Sequence, residues 1–407
     1  MYASLLPKTE TISVHANGKD TTIVLVIGKP QPTTITPIPA VEGVVRSLGI
    51  NKYTAFPHTA QFSDGEIGMI FKESDNHAAA GALMFGKSNG SLTYNFSQIS
   101  VSGTPINCAN LGIGIFNDRL IVDYQESDAG PIKVIYSDDR GTTWTQATQP
   151  FTYPAGYSSA QFGKIIKLGG GRLLLFYYCM PLSTSDPSIA GCLKSDDNGE
   201  TWAHYTDIAI RDHWDSGTES GNSAITNGHG YTSEIYGVVT DPGTGNSDTK
   251  IVVFLRNEEL GGASQIHYRS SDGGATWTRV SGTGSIFTVF GDYATAVDKF
   301  PVHVIEHQGT FYIFAGARWS GNYRIAYVTV SAADLFNNTG YSAVNVMSYN
   351  ANADTNAASN DFGYPEPLSR YFLAQSINEI LIPFYDSSPT SSGSPRDEMI
   401  YQIKITF

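Results

Sequence analysis

The chain has 407 residues, of which 41% are hydrophobic and 12% aromatic, and its formal charge is −13. That acidity excludes a general nucleic-acid binder, whose affinity needs a basic surface, but not a protein that holds an anionic ligand on a few arginines inside one cleft. No apolar stretch is long enough to span a membrane, and the opening Met1-Tyr2-Ala3-Ser4-Leu5-Leu6-Pro7-Lys8 lacks the basic and apolar regions of a secretory signal.

Helix signals are weak throughout. The chain carries 41 glycines and 19 prolines, and apolar residues almost never recur at helical spacing. Residues 1–50 hold one strand-like run (21–27) followed by a Pro/Thr-rich extended stretch (30–39), and are expected to form an N-terminal cap or edge segment. From about residue 53, short apolar runs separated by Gly- or Asn-containing turns read as strands.

Three copies of one eight-residue turn punctuate those runs: SDDRGTTW at 137–144, SDDNGETW at 195–202 and SSDGGATW at 270–277. The serine and aspartate oxygens suit the backbone N–H groups of a turn, and the glycine supplies a permissive backbone. Repetition of five fixed positions marks a repeat architecture. Starts 58 and 75 residues apart fit blades of four strands with loop insertions.

Six units follow. The first holds 56–71 and closes on a decayed turn at 87–94, with Lys72-Glu73-Ser74-Asp75-Asn76-His77 expected between its second and third strands. The second, third and fourth hold 111–144, 160–202 and 233–277. The fifth holds 302–330, with Ser331-Ala332-Ala333-Asp334 in place of the turn motif, and the sixth runs from 365 to 407. The expected fold is all-β, a six-bladed β-propeller over 51–407. Cys108, Cys179 and Cys192 match no metal-ligand spacing and read as small buried hydrophobes, with a Cys179–Cys192 pairing across a hairpin left open.

The repeated turns resemble the Asp boxes of sialidases, and six units match the six-bladed propeller of that family. The resemblance covers most of the chain from about residue 53. Ser233-Glu234-Ile235-Tyr236 followed by Phe254-Leu255-Arg256-Asn257 is similar to the sialidase segment in which a glutamate opens one strand and an arginine closes the next. Gly363-Tyr364-Pro365-Glu366-Pro367-Leu368 resembles the stretch with the nucleophilic tyrosine. By resemblance, Tyr364 is the nucleophile, Glu234 its base and Asp75 the loop acid/base, with His77 an alternative proton donor.

Sialidases also hold the substrate carboxylate on three arginines. Arg256 is similar to the second of them, and Arg324 or Arg318 to the third. Trp214, in Arg211-Asp212-His213-Trp214-Asp215, is a candidate sugar-stacking platform or a packed rim residue.

The chain departs from that pattern at the first arginine, whose position in Ala55-Phe56-Pro57 is an alanine. Losing one charge-assisted bidentate contact costs about 2–4 kcal/mol, about 30- to 1000-fold in affinity. No adjacent residue obviously replaces that arginine, and Lys52, His58 and Arg396 are the candidate substitutes. Endosialidases, phage tail enzymes that cut inside polysialic acid, are similar in having an incomplete arginine set. The resemblance thus implies a glycoside hydrolase acting on sialic acid or a related carboxylated sugar, with no cofactor and no metal. Its alternatives are an endo-acting polysialic acid depolymerase and a non-catalytic glycan-binding propeller of the adhesin or receptor-binding kind. The expected partner is an acidic glycan, with neither nucleic acid nor membrane insertion, in an extracellular or virion-associated setting.

Overall fold

A computed structural model describes residues 8–16, 19–27, 38–46, 53–75, 79–127, 130–148, 157–160, 165–181, 188–211, 218–219, 222–223, 232–257, 265–280, 302–319, 322–347, 362–363, 366–372, 377–387 and 398–407. Six antiparallel sheets of four or five strands follow one another along the chain and form the ring of a six-bladed β-propeller. Each blade runs outward from an innermost strand. These are Tyr53–Gln61, Asn110–Phe116, Tyr157–Ala160, Thr232–Asp241, Val302–His307 and Leu368–Phe372 for blades one to six. No described helix is long and apolar enough to cross a membrane.

The seams between blades are apolar because strands in a propeller are buried on both faces. Ile121 and Val134 of blade two pack with Leu175 and Tyr177 of blade three. Tyr236 and Phe254 of blade four meet Val302, Ile313 and Val328 of blade five. Phe314 and Tyr327 of blade five meet Ile382 and Ile403 of blade six. Blade six closes on blade one through Ile400 with Met69 and Phe71, and through Leu381 with Ile67.

The repeated turns are one hydrogen-bonded unit used three times. In the second copy Ser195 Oγ donates to Asp197 Oδ1 and accepts from the Gly199 N–H, both at 2.8 Å. Asp197 accepts from the Thr201 N–H at 2.9 Å and from its hydroxyl at 2.6 Å. Asp139 and Asp272 repeat the pattern with Thr143 and Thr276. The central glycine is needed twice over. Gly199 has φ 93°, and a Cβ there would lie 2.5 Å from Ile121 Cδ1 of the preceding blade. The turn is therefore also an inter-blade contact, and Gly141 and Gly274 approach Phe85 and Leu174 of their preceding blades in the same way.

Four features differ from the sequence reading or settle what it left open. Ile38–Arg46, assigned to the N-terminal segment, pairs with Glu398–Thr406 and completes blade six, so the ring is closed by strands from the two ends of the chain. A separate hairpin, Lys8–Ala16 with Lys19–Ile27, precedes it. Where the fifth turn motif is eroded, a short helix Ala332–Asn337 forms. Ser331 caps it by accepting from the Asp334 N–H, and Asn338 ends it in the left-handed conformation. The second strand of blade one continues to Ser74, so Lys72, Glu73 and Ser74 are strand residues and not loop. Cys108, Cys179 and Cys192 are all free and buried; Cys179 lies opposite Ile189 and Cys192 opposite Phe176, three rungs apart.

The turn aspartates make stability acid-sensitive. The Thr143 hydroxyl and N–H pull the Asp139 carboxyl down to about 2. For Asp197 and Asp272 burial pushes the other way, but the threonine bonds leave both below the ordinary value. A folded-state value below the unfolded one stabilises fully above pH about 4 and is lost as pH falls through that value toward about 2. Urea midpoints measured from pH 5 to pH 2.5 are expected to fall, and to fall less steeply for Asp139→Asn; parallel profiles would contradict the assignment.

Candidate functional site

In an antiparallel hairpin the start of one strand lies beside the end of the next. Thr232–Asp241 and Lys250–Asn257 in blade four are such a pair, which brings Glu234 and Arg256 to one rim of the blade. The register passes from Ser233 opposite Arg256 to Ile235 opposite Leu255, leaving Glu234 as the extra residue of a bulge with φ 43°. A positive φ in a residue other than glycine costs about 1–3 kcal/mol, and a bulge re-aims its side chain. Here the Glu234 carboxylate is turned onto the Arg256 guanidinium, which donates to it. The two side chains are 7% and 17% exposed, so the pair is poorly screened by solvent.

Blade one has a matching irregularity at the same end of its innermost strand. Phe56 has φ 57°, and the register jumps from Ala55 opposite Lys72 to His58 opposite Ile70. The two innermost strands of blades one and two run the same way. Gly68, paired with Ala60 near the end of the first, has its Cβ position 3.6 Å from Ile115 near the end of the second. Asp75 directly follows the strand that pairs with Tyr53–Gln61 and is exposed at the rim where that innermost strand begins.

Lys72 is the unforeseen residue of this blade. It stands opposite Ala55, is 1% exposed, and its ammonium lies 5.6 Å from the Tyr53 ring centroid and 5.1 Å from that of Phe56. Both rings also meet Tyr385 of blade six edge-on, at 6.0 and 5.4 Å. A cation over ring faces is favoured by the ring quadrupole, more so when desolvated. Where the sialidase resemblance expects an arginine, the chain thus packs an alanine beside a buried lysine on the neighbouring strand. The signal was present in the sequence: Lys72 directly follows the apolar run 67–71, within strand distance of Ala55 across the turn.

Beneath the mouth lies a buried polar cluster that sequence reading also missed. Glu366, fully buried, accepts from or donates to His303 Nδ1 at 2.6 Å, and lies 3.8 Å from His58 Nδ1. The His303 ring meets that of Tyr236 at 5.0 Å. Burial pushes the Tyr236 phenol well up, and the Glu366 carboxylate adds to the shift. Blades one, four, five and six are linked through these four side chains. His58, one of the cations considered for the vacant arginine position, is directed into this cluster.

Of the remaining candidates, Arg318 and Arg324 lie on described strands of blade five, on adjacent rungs opposite Tyr323 and Ala317. Tyr364, His77 and Trp214 lie outside the described residues, as do Lys52 and Arg396. Among the described residues no group of three His, Cys, Asp or Glu side chains is arranged to hold a metal ion.

No protein-family model and no curated protein matches this sequence. Solved structures do. A protein of unknown function from Dyadobacter fermentans superposes with a TM-score of 0.63 at 17% identity, covering 90% of this chain and 99% of the other. The Hadza microbial sialidase Hz136 gives 0.56 at 12% identity, covering 86% and 65%. The α-L-arabinofuranosidase Arb93A from Fusarium graminearum gives 0.52 at 11%, covering 91% and 97%. At such identities the likeness defines the class of fold, a six-bladed propeller of the shape that sialidases and this arabinofuranosidase share.

Removing one partner of a largely buried ion pair costs up to about 3–5 kcal/mol. Arg256→Met is expected to lose stability of that order by urea unfolding, and Glu234→Gln with Arg256→Met together to recover most of it. Additive losses in the double-mutant cycle would show that the two side chains are not coupled.

Proposed function

We propose that the chain is a glycoside hydrolase of the sialidase-like class, cleaving the glycosidic bond of sialic acid or a related carboxylated sugar with retention of configuration. The observation that carries this reading is the strained bulge that holds Glu234 against Arg256 at the mouth. A backbone outlier maintained beside a desolvated ion pair is the kind of strain that functional sites store.

In the proposed reaction the Tyr364 phenol attacks the anomeric carbon as Glu234 takes its proton, and Asp75 protonates the departing glycosidic oxygen. The covalent sugar–tyrosine intermediate is then opened by water, whose proton passes to Asp75, and Glu234 returns a proton to the leaving phenolate. A phenol of ordinary pKa near 10 is a weak nucleophile, which is why it needs a carboxylate base. A tyrosine suits a sugar whose anomeric carbon already bears a carboxylate, the case in which the two-carboxylate scheme of other glycosidases is set aside. Arg256 and Arg324 would orient that carboxylate, with Arg318 the alternative to Arg324, His77 the alternative donor to Asp75, and Trp214 a stacking surface. Support comes from Glu366, two residues after Tyr364 in the sequence, which is tied through His303 and Tyr236 to the blade that carries Glu234.

A second reading, a non-catalytic glycan-binding propeller, is favoured by Ala55. That position is fully buried in an aromatic layer instead of presenting a guanidinium. Hydrolysis of a fluorogenic 2-linked N-acetylneuraminic acid, run beside chain-length analysis of polysialic acid, separates the two. Release of sugar or shortening of the polymer by the wild type, lowered about 10²- to 10⁴-fold in Glu234→Gln and abolished in Tyr364→Phe, is the expected result. Sugar binding without turnover of either substrate would favour the second reading.

A further inference from the structure

Asp123 is a carboxyl in the wrong place for a structural residue. It lies on Arg119–Gln125 of blade two, opposite Gly112 of the innermost strand and Val134 of the next. It is 0% exposed, and both of its carboxyl oxygens are buried without a hydrogen-bond partner. Alternation along the strand puts it on the face of Ile121, which is turned to blade three and packs in an apolar seam with Ile132, Val134, Leu175, Tyr177 and Cys179. Such a seam calls for an aliphatic side chain, and a lone buried carboxyl weakens it. Proteins retain costs of that kind chiefly at functional sites.

The residue is also near the mouth. One step up the same face is Gln125, whose Oε1 accepts from Asn110 Nδ2 at 3.2 Å and whose Nε2 donates to the Gly130 carbonyl at 2.6 Å. Gln125 is the last residue of the strand and is itself buried. On the inner side Gly112 contributes no side chain at this rung. We propose that Asp123 is a sugar-recognition group on the blade-two side of the mouth, its carboxyl hydrogen-bonding a hydroxyl or amide of the bound glycan when Gln125 turns aside. This rests on the glycan reading above.

The chemistry suits an acidic sugar. Burial holds the Asp123 carboxyl well above the ordinary carboxylate range, which favours the uncharged acid, one donor and one acceptor. It can serve a hydroxyl or amide without repelling a carboxylated ligand.

The test pairs stability with binding in Asp123→Leu and Asp123→Asn, using thermal unfolding and calorimetric titration with 2-linked sialyllactose and with arabinobiose. Asp123→Leu is expected to raise Tm by about 2 °C or more and to weaken binding of the sugar that the wild type takes by about 10-fold or more. Asp123→Asn, which keeps a neutral donor and acceptor, is expected to stay within about 3-fold of wild type. Asp123→Leu with wild-type affinity, or with a lowered Tm, would overturn this inference alone. A wild type that binds neither sugar would remove the glycan reading, and this inference with it.

Discussion

Closure of the ring is the constraint on which everything else depends. Each sheet buries both faces against its neighbours, so a blade lacking one neighbour would expose a face of Ile, Val, Phe and Tyr. The last seam is secured when Ile38–Arg46 pairs with Glu398–Thr406, joining strands from opposite ends of the chain in one sheet. Apolar contacts then cross from Ile400 and Leu381 to blade one. With the circle shut, the innermost strands are fixed relative to one another. The backbone at Glu234 and Phe56 can then be held in conformations that an isolated hairpin would relax.

Polar groups in this acidic chain are arranged in layers beneath one rim. At the rim itself stand the exposed Asp75 and the Glu234–Arg256 pair. Lower down, a lysine ammonium lies against aromatic rings, and Glu366 is shared between imidazoles of two other blades. The two lower layers join residues of different blades, one through Tyr385 and the other through Glu366, so they both rigidify the mouth and depend on the closed ring for their partners. The repeated turns act differently. Their carboxylates are satisfied within their own loops, and their glycines seat each blade on the one before.

What was legible in the sequence follows the strength of local signals. The three SxDxGxTW turns encode their own hydrogen bonds, and so revealed the blades. Glu234 and Arg256 were singled out by the sialidase resemblance, and hairpin geometry sets them side by side. The bulge that turns Glu234 inward was not legible, because no glycine or proline marks it and the strain is sustained by surrounding packing. Ile38–Arg46 was read as outside the ring since its partner lies more than 350 residues away. Lys72 and Asp123 were passed over for one reason: each is a charged residue within or next to an apolar run, and periodicity assigns such a residue to a strand end without saying what it faces.

The central claim is that Glu234 activates Tyr364 in a sugar-transferring site at this mouth. The most direct measurement is mass-spectrometric peptide mapping after exposure to a fluorinated sialosyl donor, whose sugar–enzyme intermediate breaks down slowly. The account predicts a sugar adduct on the peptide containing Tyr364, formed by the wild type and greatly slowed in Glu234→Gln. Turnover of the donor with an adduct on another residue, or an adduct on Tyr364 that forms equally fast without Glu234, would contradict it.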